Sequence, residues 1–126
     1  MRRIIAAAIM KDKKILIAKR NYGSLAGFWE FPGGKIEKNE DDVECICREI
    51  KEEFSATITV GSYLGEEKFQ VDHKPYIMVL YQVEMLDKNL ELKVHSEVAW
   101  VLKSELCNYQ LAPVDEKLAR KCFGGD

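Results

Sequence analysis

Three glutamates, Glu49, Glu52 and Glu53, stand within five residues of one another in the run Arg48-Glu49-Ile50-Lys51-Glu52-Glu53. At about 100° per helical residue, with Glu49 at zero, Glu53 falls near 40° and Glu52 near −60°. All three carboxylates then share about 100° of arc. Like charges at these spacings cost a helix roughly a few tenths of a kcal/mol per pair, and Arg48 and Lys51 relieve only part of it. A solvated acidic face is the plainest account of such a cluster. The chemical account is a divalent cation: clustered hard oxygens suit Mg²⁺ or Mn²⁺, which keep several waters and take further ligands from substrate phosphates. The Gly33-Gly34 turn, a short loop upstream, would bring free backbone groups beside those carboxylates.

A helix over residues 40–54 must carry the cluster. Val43, Ile46, Cys47, Ile50 and Phe54 recur at three- and four-residue steps and form an apolar face turned about 120° from the glutamates. Asn39 is the expected N-cap, and Glu40, Asp41 and Asp42 suit the positive end of the helix dipole. Ser55 stands where a glycine would ordinarily close the helix. Cys45 falls beside the carboxylates, where a small side chain packs beneath a site.

The rest of the chain supplies strands and two short helices. The apolar run Ile4 to Met10 is too short to span a membrane and reads as a strand buried on both faces. Lys11 to Lys14 turns into a second strand, Ile15 to Ala18, followed by a loop over residues 21–27 and the extended piece Phe28 to Phe31. Further strands are expected over Ala56–Val60, Glu66–Val71, Tyr76–Glu84 and Glu97–Leu102, with Pro75 marking a strand start. Helices over Ser104–Asn108 and Pro113–Cys122 take Ser104 and Pro113 as start signals.

Composition narrows the function. The chain has 126 residues, of which 47% are hydrophobic and 32% charged, enough for one folded domain, residues 1–126, and too apolar for a disordered chain. A net charge of −2 offers no bulk field to recruit nucleic acid, so neither nucleic acid nor membrane is an expected partner. Cys45, Cys47, Cys107 and Cys122 include no CxxC pair, and His73 and His95 form no HExxH pair. Reduced thiols in a cytoplasmic protein are expected rather than a zinc or disulfide framework.

The segment from Gly34 to Ala56 resembles the Nudix box, whose pattern is G, five residues, E, seven residues, then R-E-U-x-E-E-x-G-U with U a bulky apolar residue. Gly34, Glu40, Arg48, Glu49, Glu52 and Glu53 occupy the specified positions. Ser55 replaces the final Gly and Ala56 the final bulky residue, and neither change removes a carboxylate. Ala18-Lys19-Arg20, Trp29 to Lys35, Glu97 to Trp100 and Leu111 to Asp115 resemble the MutT-like branch, CTP pyrophosphohydrolases among its members.

The resemblance implies an α+β fold with a mixed β-sheet sandwiched between α-helices, and a catalytic set of Glu49, Glu52, Glu53, Arg48 and Glu97. Glu49, Glu52 and Glu53, with the Gly34 carbonyl and Glu97, would hold Mg²⁺, with Mn²⁺ as substitute. Arg48 would brace the carboxylates, Glu40 would be structural, and either a box glutamate or Glu97 would orient or deprotonate water. Arg20 and Lys35 would hold phosphate, and Phe31 would line the base pocket, with Phe69 and Tyr76 as further candidates. Asp115 would read the base edge, although an acidic cap at a helix start accounts for it equally. The implied reaction is hydrolysis of a nucleoside triphosphate to the monophosphate and pyrophosphate, clearing 8-oxo-dGTP, CTP or 5-methyl-dCTP. An ADP-ribose hydrolase and a non-catalytic nucleotide sensor are the alternatives, and the molecule is expected to be a monomer or homodimer.

Overall fold

Strict alternation along the first strand determines the architecture. The structure, a computed structural model, describes residues 1–124. In β1 (Arg2–Lys11) the side chains of Ile5, Ala7 and Ile9 enter one apolar cluster, while Ala6 and Ala8 enter another on the opposite face. A strand's period of two residues produces this division, and it is why the run reads as continuously apolar.

The strands are β1, β2 (Lys14–Arg20), β3 (Trp29–Glu30), β4 (Gly33–Lys35), β5 (Ile58–Val71), β6 (Lys74–Met85) and β7 (His95–Leu102). They form one mixed seven-stranded sheet with main path β3-β2-β1-β6-β5, in which β1 and β6 are parallel and the other pairs antiparallel. β1 pairs with β2 at one end, where Lys11 faces Lys14, and with β4 at the other, where Ile4 faces Lys35. The edge of β1 is thus shared by two diverging partners, and Gly33 and Gly34, expected in a turn, belong to strand β4 beside Ala6 and Ile5.

α1 (Asp42–Phe54) covers one face of the sheet through Ile46, Ile50 and Phe54. A 3₁₀ turn over Lys103–Asn108 and α2 (Pro113–Phe123) cover the other, with Leu106 and Leu118 in its core. The expected sheet between helices is therefore what forms. Among the described residues, no helix is long and apolar enough to cross a membrane.

Several boundaries differ from expectation. The N-cap is Asp41, not Asn39: its side chain accepts from the Glu44 amide at 2.8 Å, and Glu44 Oε1 accepts from the Asp41 amide at 2.9 Å. This reciprocal capping box satisfies two otherwise orphaned donors, while Asn39 lies in the preceding turn with φ 67°. Val43, expected in the apolar face, is 48% exposed, while its neighbour Asp42 is the residue turned to the sheet, where it accepts from Arg3 and from the Tyr81 hydroxyl. The strands expected over 56–60 and 66–71 are one strand, β5, whose pairing with β6 skips at two irregularities between Val60 and Gly65. Ser104 makes no cap; at the start of that short helix Glu105 Oε1 instead accepts from the Leu102 amide at 3.0 Å. Both tight hairpins carry positive φ at two successive residues, Asp12 and Lys13, then Asp72 and His73, the twist that matches paired strands.

Candidate active site

The site begins with two glycines that permit close approach. Gly33 has φ 157°, and a Cβ there would overlap the Ile5 carbonyl oxygen; a Cβ on Gly34 would run into the Glu49 carboxyl. Glycine alone lets the β4 backbone lie against both β1 and the acidic face of α1. The Gly34 carbonyl is turned toward the helix, where it accepts from Cys45 Sγ at 3.7 Å. Cys45 is fully buried, and burial pushes its thiol up to about 12, so it packs beneath the site as an inert thiol.

Arg48 organises the carboxylates. Its Nε donates to Glu40 at 2.6 Å, and one terminal nitrogen donates to Glu49 at 2.9 Å and to Glu52 at 3.1 Å. The other terminal nitrogen reaches the Lys35 carbonyl at 3.1 Å and Glu40 Oε1 at 3.0 Å. One planar fork thereby ties the helix to its entry loop and to β4, which a lysine could not do. The Arg48 hydrogen bond holds the Glu40 carboxyl down at about 2, and Glu40 in turn raises the Arg48 guanidinium. Glu40 is structural, and serves Arg48 in particular.

Glu53 is the anomalous member. It is 8% exposed, and its Oε1 is buried without a hydrogen-bond partner. Burial first, and the adjoining Glu49 second, push its pKa well above the ordinary carboxylate range. A buried carboxyl oxygen with no donor is costly unless a cation or proton meets it. Glu49, Glu52 and Glu53 line a cavity of about 470 Å³ with Gly33, Gly34 and Tyr22. Among the described residues, no three Asp, Glu, His or Cys side chains close into a ready-made metal cage. The arrangement is an open ledge of oxygen donors, which fits Mg²⁺ or Mn²⁺, ions that complete their shells with water and phosphate.

A second cavity of about 470 Å³ shares Tyr22, Gly33 and Gly34 with the first. Arg20, Phe31, Lys35, Tyr76 and Asp115 line it. Phe69, also in its wall, stacks on Tyr76 with ring centroids 5.4 Å apart, and Lys35 Nζ lies 5.8 Å from the Tyr76 ring centre. Asp115, in the first turn of α2, is 2% exposed and accepts from the Phe31 amide at 3.0 Å. Its burial outweighs that hydrogen bond and pushes its pKa up to about 7. Helix capping does not explain it, since Ala112 is the N-cap residue.

The structure does not bring Glu97 to this site. Glu97 lies within β7, opposite Lys19, with its carboxylate 3.6 Å from Lys19 Nζ. It shares the sheet face of Ala99 and Val101, which pack in the α2 cluster, whereas the carboxylates stand on α1. It lines neither cavity. Two residues that line these cavities were missed in the sequence: Tyr22 and Glu30. Glu30 alternates with Trp29 and Phe31 in an extended segment, so period two turns it to the α1 face of the sheet while its neighbours pack toward α2.

Known proteins share this construction. A model of the NUDIX domain matches residues 5–121. The chain is 34% identical over 113 residues to the CTP pyrophosphohydrolase of Escherichia coli, covering 89% of this chain and 84% of that protein. The crystal structure of a MutT protein from Methanosarcina mazei superposes with a TM-score of 0.84 at 25% identity, over 94% of this chain and 90% of the other. That of a MutT NUDIX hydrolase from Burkholderia pseudomallei gives 0.84 at 23% identity, over 95% and 96%, and speaks for the fold alone. A box legible in sequence, its arginine-braced carboxylates and this sheet converge on one conclusion: the chain belongs to the Nudix hydrolase family.

Proposed function

We propose that this Nudix hydrolase cleaves nucleoside triphosphates within the phosphate chain, releasing the monophosphate and pyrophosphate, and so clears modified or excess nucleotides of the 8-oxo-dGTP, CTP or 5-methyl-dCTP type. The observation that carries this reading is the pair of cavities meeting at Gly33 and Gly34 of β4. One has carboxylates for a cation-bridged phosphate chain, and the other has aromatic walls and a buried acid for a base. The Escherichia coli relative named a CTP pyrophosphohydrolase supports the substrate class.

Glu49, Glu52 and Glu53, with the Gly34 carbonyl, would hold Mg²⁺, for which Mn²⁺ is the natural substitute. The chemistry that such an ion would supply there is charge to polarise phosphoryl oxygens, to lower the pKa of an attacking water and to offset the charge of the leaving group. The chain's own residues supply the rest. Arg48 keeps Glu49 and Glu52 from splaying apart under mutual repulsion. The base that takes the water's proton is one of the α1 glutamates, since Glu97 stands on the other face of the sheet. Lys35 and Arg20 meet phosphate charge as a point charge and a fork respectively. Phe31 lines the base pocket, and Asp115 accepts from, or donates to, the base edge according to its protonation.

The test is pyrophosphate release from a panel of ordinary, oxidised and methylated nucleoside triphosphates with Mg²⁺, and ADP-ribose alongside. Glu52→Gln changes a half-exposed carboxylate isosterically and should lower turnover by more than about a hundredfold, beyond the loss typical of a residue that merely supports a ligand. Cleavage of ADP-ribose alone would overturn the substrate. Tight nucleotide binding without any product would make the protein a sensor.

A further inference from the structure

Three polar atoms among the described residues are buried without a partner: Glu53 Oε1, Arg20 Nε and His95 Nδ1. All three belong to one cluster, and it centres on a residue pair that the proposed reaction has not used. His95 Nε2 lies 2.9 Å from Glu30 Oε2, and Glu30 Oε1 lies 3.6 Å from an Arg20 terminal nitrogen. The His95 side chain is 1% exposed, and its ring stacks on Phe54 with centroids 5.5 Å apart and planes 4° from parallel. The Arg20 guanidinium in turn lies over the Tyr22 ring, 4.7 Å from its centre.

A β-bulge makes this contact possible. β7 pairs with β2 so that Lys19 faces Glu97, but Arg20 faces His95, leaving Ser96 as an extra residue. In an unbroken strand His95 and Glu97 would point to the same face. The extra residue turns His95 to the α1 side, where Phe54 and Glu30 receive it. Bulges re-aim side chains in this way beside functional sites. Glu30 reaches the same side because it is registered opposite Ala18, whose side chain packs under α1.

We propose that His95 and Glu30 form a buried positioning pair that aims Arg20 at the phosphate chain of the substrate. This rests on the reading of the two cavities given above. His95 fixes the Glu30 carboxylate from below, Glu30 holds one edge of the guanidinium, and Tyr22 covers its face. The remaining donors are left for an oxyanion in the adjoining cavity, which Arg20 lines. Without the pair, the long Arg20 side chain would lose the carboxylate against which it is held.

The test is a double-mutant cycle on KM and kcat, run with whichever of CTP, 8-oxo-dGTP or ADP-ribose the wild type turns over. Affinity for a non-hydrolysable methylene analogue of that substrate is measured in parallel. His95→Phe keeps the stack on Phe54 and removes the donor to Glu30. Arg20→Gln removes the charge. Each should raise KM and weaken analogue binding about tenfold, the loss expected of one charge-assisted contact, with a smaller effect on kcat. The double variant should be no worse than Arg20→Gln alone, and His95→Gln, which keeps a donor near the Nε2 position, should restore most of the affinity. Losses that multiply in the double variant, or a His95→Phe enzyme with unchanged KM and analogue affinity, would overturn the proposal. If His95→Phe fails to fold, Glu30→Gln against Arg20→Gln gives the same cycle, and non-additive or multiplying losses decide it in the same way. Turnover of ADP-ribose alone would remove the triphosphate reading while leaving the cycle to decide the role of the pair; a wild type that binds none of the three refutes both.

Discussion

Arg48 shows how much a single side chain settles here. It makes five hydrogen bonds to oxygen, to Glu40, Glu49, Glu52 and the Lys35 carbonyl, so three acidic side chains and a backbone segment depend on one planar group. Arg48→Lys keeps the charge and loses the fork. Turnover should fall by about 10- to 100-fold while the protein remains folded, as read by kinetics beside a melting curve. An unchanged rate would mean that the carboxylates need no brace. In the sequence, Arg48, Glu49, Glu52 and Glu53 were legible because a helix's spacing fixes which side chains stand together. Glu97 was not: its motif position said nothing about which face of β7 it would occupy, and pairing with β2 put it opposite Lys19.

At the level of elements, α1 ends without glycine, and the cost is local. Ser55 sits in the left-handed region with φ 55° and ψ 33°, its amide bonded to the Lys51 carbonyl. A side chain in that conformation costs about 1 kcal/mol relative to glycine. Ser55→Gly should therefore stabilise the protein by about that amount, offset in part by loss of the exposed 3.3 Å bond from Ser55 Oγ to Glu91. The melting temperature should rise by roughly 2–6 °C, with turnover unchanged. A lower melting temperature would show that the Glu91 contact dominates. The missing glycine was visible in sequence, and the structure shows Ser55 itself taking the left-handed conformation that closes α1. Ala56, the other departure from the box, is fully buried in the core under α1, where a smaller side chain still packs.

At the scale of the whole molecule, Asp115 couples the cavity that it lines to stability. Its carboxyl ionises ordinarily at 3.8 and in the fold at about 7, so between those values the folded chain holds a proton that the unfolded chain has released. Its contribution to stability is full below 3.8 and is lost as the pH rises through 7. Wild type should thus lose stability from pH 5 to 8 relative to Asp115→Asn, whose amide does not titrate; Glu53 acts in the same direction in both and cancels in the comparison. Parallel melting curves of the two proteins across that range would refute the shift. For base recognition the same titration exchanges a donor for an acceptor near neutral pH, so Asp115→Asn should also flatten the pH dependence of KM for the preferred base.

Local periodicity determined a great deal in this chain. The two-faced alternation of β1, the amphipathic turn of α1 and the clustering of its carboxylates all follow from backbone geometry acting over a few residues, and the sequence displays them directly. Gly33 and Gly34 were equally legible as glycines that admit a close approach, although they lie in strand β4 and not in a turn. What only the tertiary structure decided is registration between distant strands. The bulge at Ser96 that turns His95 inward, the facing of Glu97 away from α1, and the meeting of Asp115 with the Phe31 amide all depend on how strands far apart in the chain align. A one-residue slip in pairing exchanges the two faces of a strand, and no local pattern encodes that choice. It is set by the sum of packing on both sides of the sheet.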